Sequence, residues 1–150
     1  MNKYFEMKLI LCILLNFLLF NNSFAQKYTE QYIREANILG FNWYSEINNQ
    51  NYEKAYESLS AELKESMNLE NWSNQMSQLM DEFGEVKNRQ VTNTEFKSKI
   101  EGLNDGFYVI ISYKVDYTNT KNHFEYLLIR QNDKSEWKII DFQYEFQQIE

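Results

Sequence analysis

Few side chains in this sequence have the type and spacing that metal or acid–base chemistry requires. His123 is the single histidine and Cys12 the single cysteine, which argues against a zinc site of the usual kind. No serine lies in a nucleophile-elbow sequence, and the four glycines do not have the spacing of a phosphate-binding loop. His123 follows a turn at residues 120–122, so we expect it at an exposed sheet edge. We predict no metal site and no cofactor.

Two strand carboxylates are the better candidates for catalysis. Asp116 shares a face of one predicted strand with Lys114, and Asp141 shares a strand face with Trp137. A carboxylate buried beside aromatic rings has a raised pKa and can act as a general base. On the solvent-exposed face of a sheet, such a carboxylate would contribute only surface charge. The neighbouring Lys114 favours this interpretation for Asp116.

Aromatic and cationic side chains are the candidates for ligand binding. With the two carboxylates, the candidate set is Trp43, Arg89, Tyr113, Asp116, Trp137 and Asp141. Arg89 has the geometry for bidentate recognition of a ligand carboxylate, or it pairs with Glu82 or Glu85 nearby. Trp43 is the strongest pocket candidate, although an aromatic at core spacing more often belongs to the core.

Helices are predicted for the first half of the chain after residue 25, which contains Trp43. Apolar side chains recur at helical spacing over residues 28–47, and a second short helix is predicted over residues 52–59. Asn68 has the N-cap residue type for a third helix, and Gly84 follows that helix as a C-terminal cap.

Strands must hold the second half. Alternating apolar residues predict strands over residues 107–117, 123–131 and 136–146, with a weaker one over residues 87–96. Helices followed by antiparallel strands indicate an α+β fold. We expect the helices to pack on a curved antiparallel sheet and form a cone. The sequence leaves open which strand face lines its cavity, since a one-residue shift exchanges the faces.

The first 25 residues predict export. Lys3 and Lys8 precede an apolar run of residues 9–20, and the small residues Ser23 and Ala25 occupy the two recognition positions before the cleavage that we expect after Ala25. The run is too short for a membrane-spanning helix, so no stable membrane insertion is expected after cleavage. Leu11 before Cys12 disfavours a lipoprotein. Residues 26–150 are then a single periplasmic or secreted domain.

Charge and composition limit the classes of partner that we expect the protein to bind. The formal net charge is −7, which argues against binding nucleic acid, because phosphate contacts need clustered lysine and arginine. We expect a small apolar ligand or a protein partner. Ile110 and Ile111 would point to opposite faces of their strand, which also suggests a homodimer through the sheet.

Several residues carry a resemblance to a known superfamily. They are Ala36, Trp43, residues 51–56 (Asn-Tyr-Glu-Lys-Ala-Tyr), Trp72, Gly84, Arg89, residues 108–109 and Trp137. Their order resembles the NTF2-like, cystatin-like α+β superfamily, and more closely the bacterial domain-of-unknown-function 4019 family. The resemblance implies the cone fold and an exported protein, but no activity. The chain departs from the family pattern at residues 81–84, where it has no proline.

Two functions follow from these residues. The first is a non-catalytic binding or interaction module with an apolar pocket. The alternative is a small enzyme of the isomerase or dehydratase type, since ketosteroid isomerase in this superfamily uses a carboxylate base and a tyrosine donor. In this chain the base would be Asp116 or Asp141.

Overall fold

The computed structural model describes the backbone of residues 3–148 and the side chains of residues 26–146. The chain divides into two compact units, one ending at Tyr32 and one beginning at Ile33. The first unit is helical. Cleavage after Ala25 falls outside the described side chains and stays a prediction. Among the described residues, no helix is both long and apolar enough to span a membrane.

The described part of the chain has four helices followed by four strands. The helices are α1 (Lys3–Asn48), α2 (Tyr52–Glu57), α3 (Ala61–Ser66) and α4 (Leu69–Phe83). The three helices predicted between residues 28 and 83 are confirmed. The sequence did not predict α3, because six residues are too few to show a helical period. Ser60 caps α3, and its hydroxyl accepts a hydrogen bond from the Leu63 backbone N–H at 3.3 Å.

Both caps predicted for α4 are present. The Asn68 side chain accepts a hydrogen bond from the Asn71 backbone N–H at 2.9 Å, which fixes the start of the helix. Gly84 ends it with a φ of 78°, a conformation that favours glycine. A Cβ at Gly84 would collide with Thr118 Oγ1 in the turn between two strands, so a side chain there is excluded by space as well as by φ.

All four predicted strands are confirmed within a few residues. They are β1 (Val86–Lys97), β2 (Tyr108–Tyr117), β3 (Thr120–Gln131) and β4 (Trp137–Gln148). They form one antiparallel sheet in the order β1-β2-β3-β4. The segregation of helices and strands confirms the α+β class. The sheet is open, and its two edges are β1 and β4.

Alternation along the strands separates a buried inner face from an outer face. The inner-face core residues of β2 and β3 are Val109, Ile111, Val115, Leu127 and Ile129, and all are buried. The inner face carries the core that α1 covers with Trp43, which packs on Phe142 of β4 with ring centroids 5.4 Å apart. Gly40 permits this approach, because a Cβ there would lie 2.6 Å from the Tyr113 hydroxyl oxygen.

Candidate functional site

A buried ion pair lies on the inner face of the sheet. Arg89 Nε donates to Glu125 Oε2 at 2.9 Å, and Arg89 Nη2 donates to Glu125 Oε1 at 3.2 Å. Tyr117 joins them: its hydroxyl accepts from Arg89 Nη2 at 2.9 Å and donates to Glu125 Oε1 at 2.6 Å. The Glu125 side chain is 0% exposed and that of Arg89 is 12% exposed. The pair is therefore nearly dehydrated and geometrically fixed.

Three neighbouring strands bring these groups together. Arg89 of β1 lies opposite Val115 of β2, and Glu125 of β3 lies opposite Tyr113 of β2. Since residues on the same face of adjacent strands are neighbours, the cation and the carboxylate meet over β2. The sheet register thus determines which acid Arg89 contacts, and the partner is 36 positions later in the chain.

The helix α1 completes this group with an aromatic ring. The Arg89 guanidinium carbon lies 3.9 Å from the centroid of the Tyr44 ring, which is a cation–π contact. We refer to Arg89, Glu125, Tyr117 and Tyr44 as the Arg89 cluster. Tyr44 is buried, and its ring also meets Tyr113 edge-on at a centroid distance of 5.1 Å. One face of the guanidinium is therefore covered by α1.

The protonation states in the cluster follow from burial and charge. Burial works to lower the pKa of Arg89, but the Glu125 carboxylate more than offsets it, so the pKa lies above its ordinary value. Burial raises the pKa of Tyr117, and the negative charge of Glu125 raises it further. The guanidinium is therefore a permanent cation, and the Tyr117 phenol keeps its proton.

A cavity opens beside the cluster, between α1 and β1. Its volume is about 560 Å³. The lining residues are Asn37, Phe41, Tyr44, Ser45, Asn48, Asn49, Val86, Arg89, Val91 and Tyr113. Phe41 and Val91 are apolar residues that remain 73% and 53% exposed. The α1–β1 cavity thus combines an apolar wall, several amide groups and one fixed cation, which is typical of small-molecule sites.

Two predicted binding residues, Arg89 and Tyr113, lie together in the lining of this cavity. The other two aromatic candidates lie elsewhere. Trp43 is buried in the core against Tyr44, with ring centroids 4.9 Å apart. Trp137 donates its indole N–H to Glu35 Oε2 at 2.8 Å. The structure therefore brings only part of the predicted set to one place.

The two predicted carboxylates lie on the outer face, away from the Arg89 cluster. Asp116 is exposed and alternates with the buried Val115 and Tyr117. Asp141 accepts a hydrogen bond from Gln143 Nε2 at 3.1 Å and lies opposite Leu128. Neither aspartate shares the inner face with the tyrosine hydroxyls of the cluster.

The prediction that His123 lies at an exposed edge is wrong. The strand β3 begins at Thr120, and a register shift between Lys121 and Phe124 directs His123 to the inner face, where it is 0% exposed. Its ring stacks on Phe146 with centroids 4.9 Å apart, and neither ring nitrogen has a hydrogen-bond partner among the described residues. Burial lowers the pKa of His123, and Glu125 offsets this only in part.

Sequence reasoning missed Glu125, Tyr117 and Tyr44. A usable signal existed for Glu125, because it has the same strand parity as the apolar Leu127 and Ile129. A charged residue whose side chain points to the same face as the core residues requires a buried partner. Within residues 26–146, no group of three or more histidine, cysteine or acidic side chains is placed to hold a metal ion.

Residues 40–142 match the model of a family described as a protein of unknown function (DUF4019). The matched region covers well over half of the chain and includes every residue of the Arg89 cluster. No curated protein and no solved structure matches the chain.

Proposed function

This chain belongs to the DUF4019 family, as its sequence predicted, and we propose that it is an exported, non-catalytic domain that binds a small amphipathic molecule in the α1–β1 cavity. The N-terminal sequence pattern supports export. The order of helices and strands supports an NTF2-like arrangement, in which the helices and the sheet form a cone. The family description names no activity, so the support for binding comes from the site itself.

One observation carries the proposal: a cation is held in a fixed position at a cavity that also has an apolar wall. Arg89 is anchored through Nε and Nη2 and is stacked on Tyr44, so little side-chain entropy remains to be lost when a ligand binds. None of these hydrogen bonds uses Nη1. A volume of about 560 Å³ is within the usual range for small-molecule sites.

The lining indicates the chemical class of the ligand. Phe41, Val91 and Tyr113 would contact an apolar or aromatic body. An acidic or carbonyl group of the ligand would accept a hydrogen bond from Arg89 Nη1. The charge of Arg89 is already balanced by Glu125, so we expect orientation of the ligand rather than strong Coulomb attraction.

The enzyme alternative has weaker support. It needs a strand carboxylate that reaches a substrate together with a tyrosine donor. Glu125 has such a donor in Tyr117, at 2.6 Å, but both of its oxygens are bound and its side chain is 0% exposed. A carboxylate that is fully buried and already hydrogen-bonded at both oxygens is not accessible to a substrate. Asp116 and Asp141 are more accessible, but no tyrosine donates a hydrogen bond to either of them among the bonds of the described residues.

The first test is native mass spectrometry of the protein purified from its own host. We expect an additional mass that is lost on denaturation, which would give the ligand class directly. A bare protein mass at every ionisation energy would count against a retained ligand.

The second test uses the aromatic sulfonate 8-anilinonaphthalene-1-sulfonate, which combines an apolar body with an anion. We expect saturable binding with a stoichiometry of one. Ser45→Phe fills the cavity from α1 and should abolish this binding. Gln78→Phe adds the same ring at an exposed position of α4 and should leave it unchanged. Equal binding by both variants would show that the probe binds elsewhere.

A further inference from the structure

The two edges of the sheet differ in their protection. The edge of β4 is covered near its start by residues 58–60, where Ser60 N–H donates to Ile139 O at 2.8 Å and Ile139 N–H donates to Ser58 O at 3.0 Å. In the part of the chain that the structure describes, the strand β1 has β2 as its one neighbour in the sheet, and most of its side chains are exposed. It is twelve residues long, and residues 90–94 carry no charge. Such an edge is a template for another strand.

We propose that β1 pairs antiparallel with β1 of a second copy of this chain, with Val91 opposite Val91 of that copy on the two-fold axis. This register places Lys87 opposite Glu95 of the second copy, and Glu85 opposite its Lys97. By symmetry each ion pair occurs twice. The centre of the strand is uncharged, and the charges lie at both ends with opposite signs facing each other.

Neighbouring registers are disfavoured by the same residues. A shift of two positions in one direction places Glu85 opposite Glu95 of the second copy. A shift of two positions in the other direction places Lys87 opposite Lys97. A shift of one position would set residues of opposite faces against each other. The charge pattern of β1 therefore specifies one antiparallel self-pairing.

The bulges of β1 are compatible with that register. One lies between Val86 and Asn88 and the other between Val91 and Asn93, so each half of the strand contains one extra residue. Each half of the strand, counted outward from Val91, contains one bulge, so the two halves stay in step. The side chains at their ends therefore point to the same face of the sheet. Val86 and Phe96 then lie opposite each other on the inner face, where each packs against the core of its own chain.

The apolar surface beside this edge also fits a second copy. Phe41 and Val91 line the mouth of the α1–β1 cavity and are 73% and 53% exposed. Ile38, one helical turn before Phe41, is 55% exposed. Because Val91 lies on the proposed axis, pairing would bring the exposed apolar side chains of the two copies close to each other. The inference concerns assembly and does not depend on whether the cavity binds a ligand.

The first experiment is sedimentation velocity on the protein as its host makes it. We expect a dimer at micromolar concentration. Val91→Lys sets two ammonium groups opposite each other on the axis, and we expect a monomer with unchanged far-ultraviolet circular dichroism, since Val91 is exposed. A wild-type monomer throughout the micromolar range would overturn the proposal, and so would a dimer that Val91→Lys leaves intact.

A charge-reversal pair tests the register itself. Lys87→Glu and Glu95→Lys each turn attractive pairs into repulsive ones, and each should weaken the dimer about tenfold. Mixing the two variants should restore a heterodimer, because every facing pair then has opposite charges. Glu101→Lys, in the exposed loop after β1, is the matched control and should have no effect. Failure of the mixture to associate would overturn the register.

The main rival is a dimer formed by the outer faces of two sheets. Phe124 lies on that face and is 49% exposed. If Phe124→Lys dissociates the dimer while the three β1 variants do not, the outer faces pair and the edge proposal is wrong. If the β1 variants dissociate it and Phe124→Lys does not, the edge proposal stands.

Discussion

Neutralising the buried carboxylate of the Arg89 cluster should destabilise the fold strongly. Glu125→Gln keeps the shape of the side chain and removes its charge, which leaves the Arg89 guanidinium only 12% exposed and without its anion. At the observed separation of 2.9 Å the attraction between two unit charges is roughly 6 kcal/mol at an effective dielectric constant of about 20. Breaking one side of a buried pair typically costs about 3–5 kcal/mol.

We therefore expect Glu125→Gln to lower the free energy of unfolding by about 3–5 kcal/mol, with a fall in melting temperature of roughly 10–20 °C. Urea unfolding followed by circular dichroism measures the first quantity, and thermal unfolding measures the second. Glu62→Gln is the matched control. Glu62 also contacts an arginine, at 2.6 Å from Arg130, but its side chain is 64% exposed, and we expect a loss of less than about 1 kcal/mol.

A double variant separates the ion pair from general packing. Arg89→Met should also be costly, because it strands the Glu125 carboxylate. The double variant Arg89→Met with Glu125→Gln contains neither buried charge, so its loss should be smaller than the sum of the single losses by about 2 kcal/mol or more. A loss below about 1 kcal/mol for Glu125→Gln, or strictly additive losses, would show that water solvates the pair and would refute this reasoning.

Three further predictions concern single positions. The lowered pKa of His123 means that the unfolded chain binds a proton more readily, so stability should fall as the pH drops below about 6.5; His123→Phe should reduce that loss, measured by urea unfolding at about pH 5.5 and about pH 7.5. An equal pH dependence in both proteins would contradict this. Gly40→Ala should destabilise the protein despite its better helix propensity, because the new methyl group meets the Tyr113 hydroxyl, and adding Tyr113→Phe should recover part of the melting temperature. No recovery would mean that the clash lies elsewhere. Gly84→Ala should cost at least about 2 kcal/mol in urea unfolding, whereas Gly102→Ala, with a similar φ of 83° and open space around it, should cost about 1 kcal/mol. Equal losses would show that contact with Thr118 is unimportant.

Most elements of this fold were predictable because they have strong local signals, whereas the six-residue α3 has none. The α4 caps at Asn68 and Gly84 and the alternation along β2 depend only on nearby residues. The site was less predictable because it depends on register. Arg89 was identified by residue type, but its partner depends on how β1 and β3 align on β2. The sequence of a single strand does not specify that alignment.

The error at His123 has the same origin. A turn was expected at residues 120–122, but β3 already begins at Thr120, and the register shift between Lys121 and Phe124 rotates the following residues to the other face. Bulges of this kind have no reliable sequence signal in one chain. Glu125 lies in no recognisable catalytic or binding motif, so its residue type alone did not identify it. Its parity with Leu127 was visible in the sequence.

The three tryptophans lie in different surroundings, so their intrinsic fluorescence can serve as an optical reporter. The indole N–H groups of Trp43 and Trp72 are buried without a hydrogen-bond partner among the described residues, whereas that of Trp137 donates to the Glu35 carboxylate. Indoles in apolar surroundings emit at shorter wavelength than indoles bonded to a charged group. Trp43 packs on Tyr44, which lines the α1–β1 cavity. The intrinsic fluorescence of Trp43 should therefore respond to whatever enters that cavity, without any added label.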